Sequence, residues 1–171
     1  MTGMFDTWHD FFLLTGPASS SLLGLLFVVM TLTSGYDQQT AGTGTRIYTT
    51  PTVFHLVVVV ALSGGALAPQ IPTVPYGTAV IIAAVIGLFY CGFVGREIRR
   101  GHVPGHWLDF WFYGVLVAVV YAALLGAGIL VVRGAEAAPW ALAGGVLALL
   151  LAAVHNAWDL VTWIAPRSKR P

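Results

Sequence analysis

The sequence predicts an all-α integral membrane protein, a bundle of five transmembrane helices forming a single domain over residues 1–171. Hydrophobic residues make up 57% of the chain and charged residues only 9%, against about 45–50% and about 25% in soluble domains. The apolar residues also fall into five separate runs, each close to the roughly 20 residues that a helix needs to cross a bilayer. A soluble fold cannot bury this much apolar surface.

The predicted spans cover residues 12–34, 52–71, 74–94, 107–132 and 140–164. Between the second and third spans, Pro69, Pro72 and Pro75 follow one another closely. Three prolines at this spacing cannot continue a helix, so they predict a tight turn between two spans. Five tryptophans lie near predicted span ends, where indole rings favour the membrane interface: Trp107, Trp111, Trp140, Trp158 and Trp163.

Basic residues predict the orientation of the bundle. With five alternating spans, seven of the eight Lys and Arg residues fall on one side and only Arg133 falls on the other. Positive residues in short loops mark the cytoplasmic face. We therefore expect the N-terminus outside, the C-terminus in the cytoplasm, and a location in a bacterial inner membrane. The first eleven residues lack the Lys or Arg of a cleavable signal peptide, which agrees with an exported N-terminus.

The longest predicted loop covers residues 35–51 and is rich in Gly and Thr. A flexible connector is one interpretation, because such residues without apolar periodicity are typical of loops. The other is a backbone nest for an anion over residues 40–45, with Arg46 adding charge and Tyr48 and Thr49 as neighbouring contacts. The loop lacks the lysine and spacing of a P-loop, and the net charge of +1 argues against a nucleic-acid partner.

Small residues recur within the spans, which predicts close packing of helix backbones. Gly16, Ser20 and Gly24 follow one another at four-residue intervals in the first span. Further small residues mark the second, fourth and fifth spans: Ser63, Gly64, Gly65, Ala66, Gly126, Gly128, Ala141, Gly145 and Ala148. Five spans make a thin bundle within the lipid bilayer, so the additional small-residue surfaces predict a homo-oligomer.

The sequence gives little support for an enzyme and leaves that question open. The single cysteine, Cys91, excludes an intramolecular disulfide and a cysteine-based metal cluster within one chain. The chain contains no HExxH, GxSxG or paired-cysteine motif, so hydrolase and thiol-oxidoreductase interpretations lack their required groups. The sequence requires no cofactor.

Polar residues at membrane depth point to function, because ionisable groups there usually face a protein interior or a water-filled cavity. The fifth span contains His155, Asn156 and Asp159, and the histidine and aspartate share one helix face. His55 in the second span and Asp109 in the fourth enter from the same predicted side. We therefore predict that these five residues form one polar layer in the cytoplasmic leaflet.

Such a layer has several possible uses. It can bind and pass a small ion or a proton, because histidine changes charge near neutral pH and carboxylates attract cations. His55, His155 and Asp159 can instead ligate Zn²⁺ or Fe²⁺, or the two histidines can ligate a haem. In the remaining interpretation the polar residues are hydrogen-bonded pins in a structural or partner-binding subunit. The working hypothesis is an oligomeric channel or transporter.

Overall fold

The computed structural model describes residues 4–33, 44–99 and 114–164, and these ranges consist of helices joined by short turns, with no strand among them. The five long helices are α1 (His9–Thr33), α2 (Gly44–Leu67), α3 (Thr73–Arg99), α4 (Val117–Val132) and α5 (Ala138–Ile164). A short 3₁₀ helix, Asp6–Trp8, precedes α1, and a π-helical turn at residues 114–116 leads into α4. Each long helix contributes to a stretch that is long and apolar enough to cross a membrane. The predicted all-helical chain with five membrane-length helices is confirmed.

The start of α2 differs from the prediction. We expected a loop through Pro51, but the helix begins at Gly44 and includes the proline. Polar residues do not prevent a helix, since the backbone needs only its own i to i−4 hydrogen bonds, and Pro51 removes a single one. Arg46, Tyr48 and Thr49 therefore belong to the first turns of α2. Their side chains, and the predicted anion contact, lie outside the described part of the chain.

Two short connections join antiparallel neighbours. Residues 68–72 connect α2 to α3, and residues 133–137 connect α4 to α5 through Gly134, whose φ of 65° favours glycine. Ring contacts join the chain segments that begin α1, α3 and α5, because Phe5 meets Tyr76 at 5.4 Å and Trp8 meets Trp140 at 4.6 Å between ring centroids. We call this end of the bundle the N-terminal end. The opposite end, where α2 and α4 begin, is the His55 end.

Glycines hold α3 and α4 in backbone contact near the N-terminal end. A Cβ atom on Gly77 would lie 2.9 Å from the carbonyl oxygen of Gly128 and 2.8 Å from the backbone nitrogen of Val132. The prediction of close packing at Gly128 is confirmed, whereas Gly77 was not predicted. Gly24 and Gly126 lie in small-residue stripes as well, but a Cβ atom there would meet nothing within 4 Å. The described residues therefore make no close contact at these two glycines.

Candidate functional site

The site centres on His55, which lies on the inward face of α2. Its side chain is almost completely buried, at 1% exposure, and its Nδ1 atom lies 2.7 Å from the hydroxyl oxygen of Tyr121 on α4. Buried residues recur every three or four positions along this face, as the helical repeat requires: Thr52, His55, Val59, Leu62, Ser63 and Ala66. His55 thus occupies a core position between two helices.

Tyr121 reaches His55 because Gly87 on α3 has no side chain. A Cβ atom at Gly87 would overlap the Tyr121 ring, so glycine is required where the ring crosses α3. Phe54 packs against both Tyr121 and Tyr90, with ring centroids 6.3 Å and 5.5 Å away. The Tyr121 ring is therefore held on two sides, and its hydroxyl is fixed toward the imidazole.

The second ring nitrogen of His55 is the unusual atom of the site. Nε2 is buried and has no hydrogen-bond partner among the described residues. In a neutral imidazole one nitrogen donates and the other accepts, so the Tyr121 contact leaves Nε2 as a bare acceptor or as an unused donor, according to the tautomer. Buried polar atoms nearly always have a hydrogen-bond partner. An exception such as Nε2 of His55 is therefore a candidate for a functional role.

His155 and Asp159 contact each other on α5, as their spacing predicts. The Nε2 atom of His155 lies 3.4 Å from a carboxylate oxygen of Asp159. The two side chains are 45% and 41% exposed, so they face the outside of the bundle. Asn156 follows His155 in the sequence but points toward the interior of the bundle, where it is buried at 1% exposure. Asn156 of α5 therefore lies in the expected interior layer, whereas His155 and Asp159 do not.

The predicted layer is accordingly divided. His55 and Asn156 face the interior and His155 and Asp159 face outward, while Asp109 lies outside the described residues. The reason is helical geometry, since adjacent residues on a helix point about 100° apart. Within the described ranges no three His, Cys, Asp or Glu side chains lie close enough to hold a metal ion. His55, His155 and Asp159 thus do not form the predicted metal-ligand set, and the predicted haem pair has one outward-facing histidine.

Tyr121 was missed in the sequence, although a signal for it exists. It is the one residue of 114–132 whose side chain carries a polar atom. A hydroxyl deep within an apolar stretch needs a hydrogen-bond partner in the bundle, because lipid offers none. Pairing it with His55, the isolated imidazole of the second span, would have found this contact.

A series of hydroxyl contacts connects α1 to α2 beyond His55. Ser19 donates to the carbonyl oxygen of Leu56 at 2.9 Å, and Thr15 shares a 2.9 Å hydrogen bond with Ser63. Near the N-terminal end, Tyr76 of α3 donates to the carbonyl oxygen of Leu62 at 2.6 Å. Hydroxyl groups thus occupy several depths of the bundle on the inward side of α2.

Comparison of the chain with protein-family models, with curated proteins and with solved structures finds no match in any of the three.

Proposed function

We propose that this protein is a membrane transporter or gated channel that passes a proton or small ion, with His55 as the group through which passage is controlled. The observation that carries the proposal is the buried imidazole, held at Nδ1 by Tyr121 and unpartnered at Nε2. An imidazole fixed at one nitrogen can accept and release a proton at the other.

The depth of the pair supports this use. His55 lies within the apolar stretch Thr50–Leu67, and Tyr121 lies within the apolar stretch Gly114–Val132. Ionisable groups at membrane depth are costly, and those that occur commonly mark proton or ion pathways.

The chemistry needs no additional reactant. A proton that binds Nε2 converts the imidazole to the imidazolium, whose Nδ1–H then donates to the Tyr121 oxygen. When the proton leaves Nε2, the neutral ring is restored and Tyr121 keeps it oriented. Tyr121 is thus a positioning residue, and His55 is the residue that carries the charge.

The hydroxyl groups of Ser19, Thr15 and Ser63 extend the polar side of α2 from His55 toward the N-terminal end. They are spaced by apolar residues, and Val59, at 0% exposure, lies between His55 and Ser63. A buried apolar side chain thus interrupts the polar groups, so passage along this line would require the helices to separate. This favours a gated channel or an alternating-access transporter over a permanently open pore.

The remaining parts of the proposal concern assembly and location. Gly24 and Gly126 offer close-approach surfaces on the outside of the bundle, which suits a homo-oligomer. The distribution of basic residues favours a bacterial inner membrane with the His55 end toward the cytoplasm. Native mass spectrometry of the purified protein would give the copy number.

Flux measurements in liposomes test the function. Wild type, His55→Asn and His155→Asn would be reconstituted at equal density, and internal pH would be followed with a dye under an imposed pH gradient, with Na⁺ and K⁺ fluxes measured in parallel. We expect His55→Asn to lower the flux about 100-fold, as removal of a positioned proton-transfer group commonly does. His155→Asn is the matched control, because its imidazole faces outward, and it should retain the wild-type rate.

Two results would overturn the proposal. One is a folded wild-type protein that passes no proton, Na⁺ or K⁺ under any gradient. The other is a His55→Asn variant with full flux, which would leave His55 as a structural pin. A visible absorption spectrum and metal analysis of the same sample test the rival class, since a Soret band or stoichiometric zinc would favour a cofactor-binding protein.

A further inference from the structure

Aromatic rings fill the space between α2 and α3 at the His55 end. The ring centroid of Phe54 lies 5.5 Å from that of Tyr90 on α3, 6.3 Å from that of Tyr121 on α4 and 6.1 Å from that of the adjacent His55 imidazole. Phe54 is only partly buried, whereas His55 and Tyr121 are almost completely buried. The Phe54 side chain therefore reaches from the buried pair to the surface of the bundle.

Two hydroxyl groups lie beside this ring. The Tyr90 side chain hydrogen-bonds the side chain of Thr50, and Thr50 is exposed. Thr50 and Phe54 are four residues apart, so they share one face of α2. An exposed polar pair and a buried imidazole thus both neighbour the same aromatic side chain.

We propose that Phe54 is the barrier residue of the His55 site, whose ring separates the imidazole from water at the Thr50–Tyr90 pair and, when displaced, admits water to it. The assignment rests on the proposed passage of a proton or small ion through His55. It names the side chain whose position opens or closes that passage at the His55 end.

The packing of the neighbouring rings favours Phe54 over Tyr121 as the moving group. A Cβ atom on Gly87 would overlap the Tyr121 ring, so the backbone of α3 lies directly against that ring. Displacing Tyr121 would also break its contact with Nδ1 of His55. The Phe54 side chain has no hydrogen bond to break, and it can change rotamer by rotation about its χ1 bond.

An apolar ring suits a barrier because a narrow apolar constriction excludes water and so interrupts conduction. With the ring in place, Nε2 of His55 is buried without a hydrogen-bond partner among the described residues. With the ring displaced, water can reach the imidazole, and Nε2 can exchange a proton with that water. Movement of one side chain thus supplies the access that the buried imidazole needs.

Histidine labelling of the full-length protein in liposomes tests the barrier without relying on flux. The probe is diethyl pyrocarbonate, a small uncharged reagent that modifies neutral imidazoles, and the labelled peptides are quantified by mass spectrometry. His155, whose side chain is 45% exposed, is the internal reference. We expect wild-type His55 to react about tenfold more slowly than His155, since the reactivity of a buried group follows the population of open states. Phe54→Ala should remove most of this difference.

Two further variants support the labelling test. Phe89→Ala is the matched control, because Phe89 is 77% exposed on α3, and it should leave His55 labelling unchanged. Phe54→Leu keeps an apolar side chain but removes the ring, so it should raise His55 labelling by a smaller factor than Phe54→Ala. If Phe54→Ala does not fold, Phe54→Leu carries the test.

Two labelling results would overturn the barrier assignment. One is a wild-type His55 that reacts as fast as His155, and the other is a folded Phe54 variant whose His55 reacts no faster than in wild type.

Proton flux in the same liposomes separates the barrier from the function. If Phe54→Ala exposes His55 but wild type passes no proton or ion, the proposed function fails and the ring is still the barrier to water. If wild type passes protons that His55→Asn does not, while Phe54→Ala changes neither labelling nor flux, only the barrier assignment fails.

Discussion

The two ends of the bundle differ in how α3 and α4 meet. At the N-terminal end the backbones touch through Gly77 and Gly128, and the Tyr76 hydroxyl donates to the Leu62 carbonyl oxygen at 2.6 Å. At the His55 end the ring of Tyr121 lies between the two helices. Its hydroxyl contacts Nδ1 of the His55 imidazole, and Nε2 has no partner among the described residues.

The N-terminal end is the tightly packed end of the bundle, and the His55 end contains the candidate functional site. The N-terminal end is closed by Phe5, Phe12 and Tyr76, whose rings pack edge to face at centroid distances of 5.8 Å and 5.4 Å. Among the described residues of this end, no buried side-chain polar atom lacks a hydrogen-bond partner. The His55 end keeps a buried nitrogen that costs stability, and a group retained at such a cost is the best candidate for the working part of the protein.

The largest effect is expected from Gly77→Ala at the N-terminal end. The new methyl group would meet backbone atoms of Gly128 and Val132, which cannot move aside as a flexible side chain would. We expect the free energy of unfolding to fall by about 2–3 kcal/mol, as in overpacked cores. SDS titration followed by tryptophan fluorescence measures it.

The matched control is Gly126→Ala, on the neighbouring turns of α4, where a Cβ atom meets nothing within 4 Å. Its free energy of unfolding should stay within about 0.5 kcal/mol of wild type in the isolated chain. Equal losses for the two variants would show that α3 and α4 do not make the backbone contact described for the N-terminal end.

An intermediate effect is expected from Tyr121→Phe at the His55 end. The ring and its packing remain, but Nδ1 of His55 loses its partner inside the bundle. We expect a loss of about 1–2 kcal/mol in the same SDS titration. The proton flux in liposomes should fall as well, since the imidazole is no longer held in one orientation. Unchanged flux would separate Tyr121 from the function of His55.

The smallest effect is expected from Tyr76→Phe, which removes the same hydroxyl group from the opposite end. The Leu62 carbonyl that accepts its hydrogen bond also lies within α2, so it keeps its helical partner. A loss of about 0.5 kcal/mol is expected, with flux at the wild-type level. If this variant abolished flux while Tyr121→Phe did not, the working end of the bundle would be the N-terminal one.

Some of the polar site was predictable from the sequence. His55 and Asn156 were recognised as polar residues at membrane depth, and both are buried. The contact between His155 and Asp159 followed from their four-residue spacing. Their outward direction did not follow, because a four-residue spacing places two side chains on one helix face without indicating whether that face turns toward the interior. The partner of His55 was hidden for a related reason, since Tyr121 is 66 residues away in the chain and on another helix.

The sequence by itself determined the number of membrane-length helices, because an apolar run of about 20 residues can satisfy its backbone in a membrane only as a helix. The tertiary structure decided which face of each helix points inward. These helices are apolar almost all round, and lipid is as apolar as the bundle core, so hydrophobicity does not distinguish the two faces. Close packing at Gly77, Gly87 and Gly128 makes that choice instead. Through it, His55 meets Tyr121 in the interior and Asp159 is left on the surface.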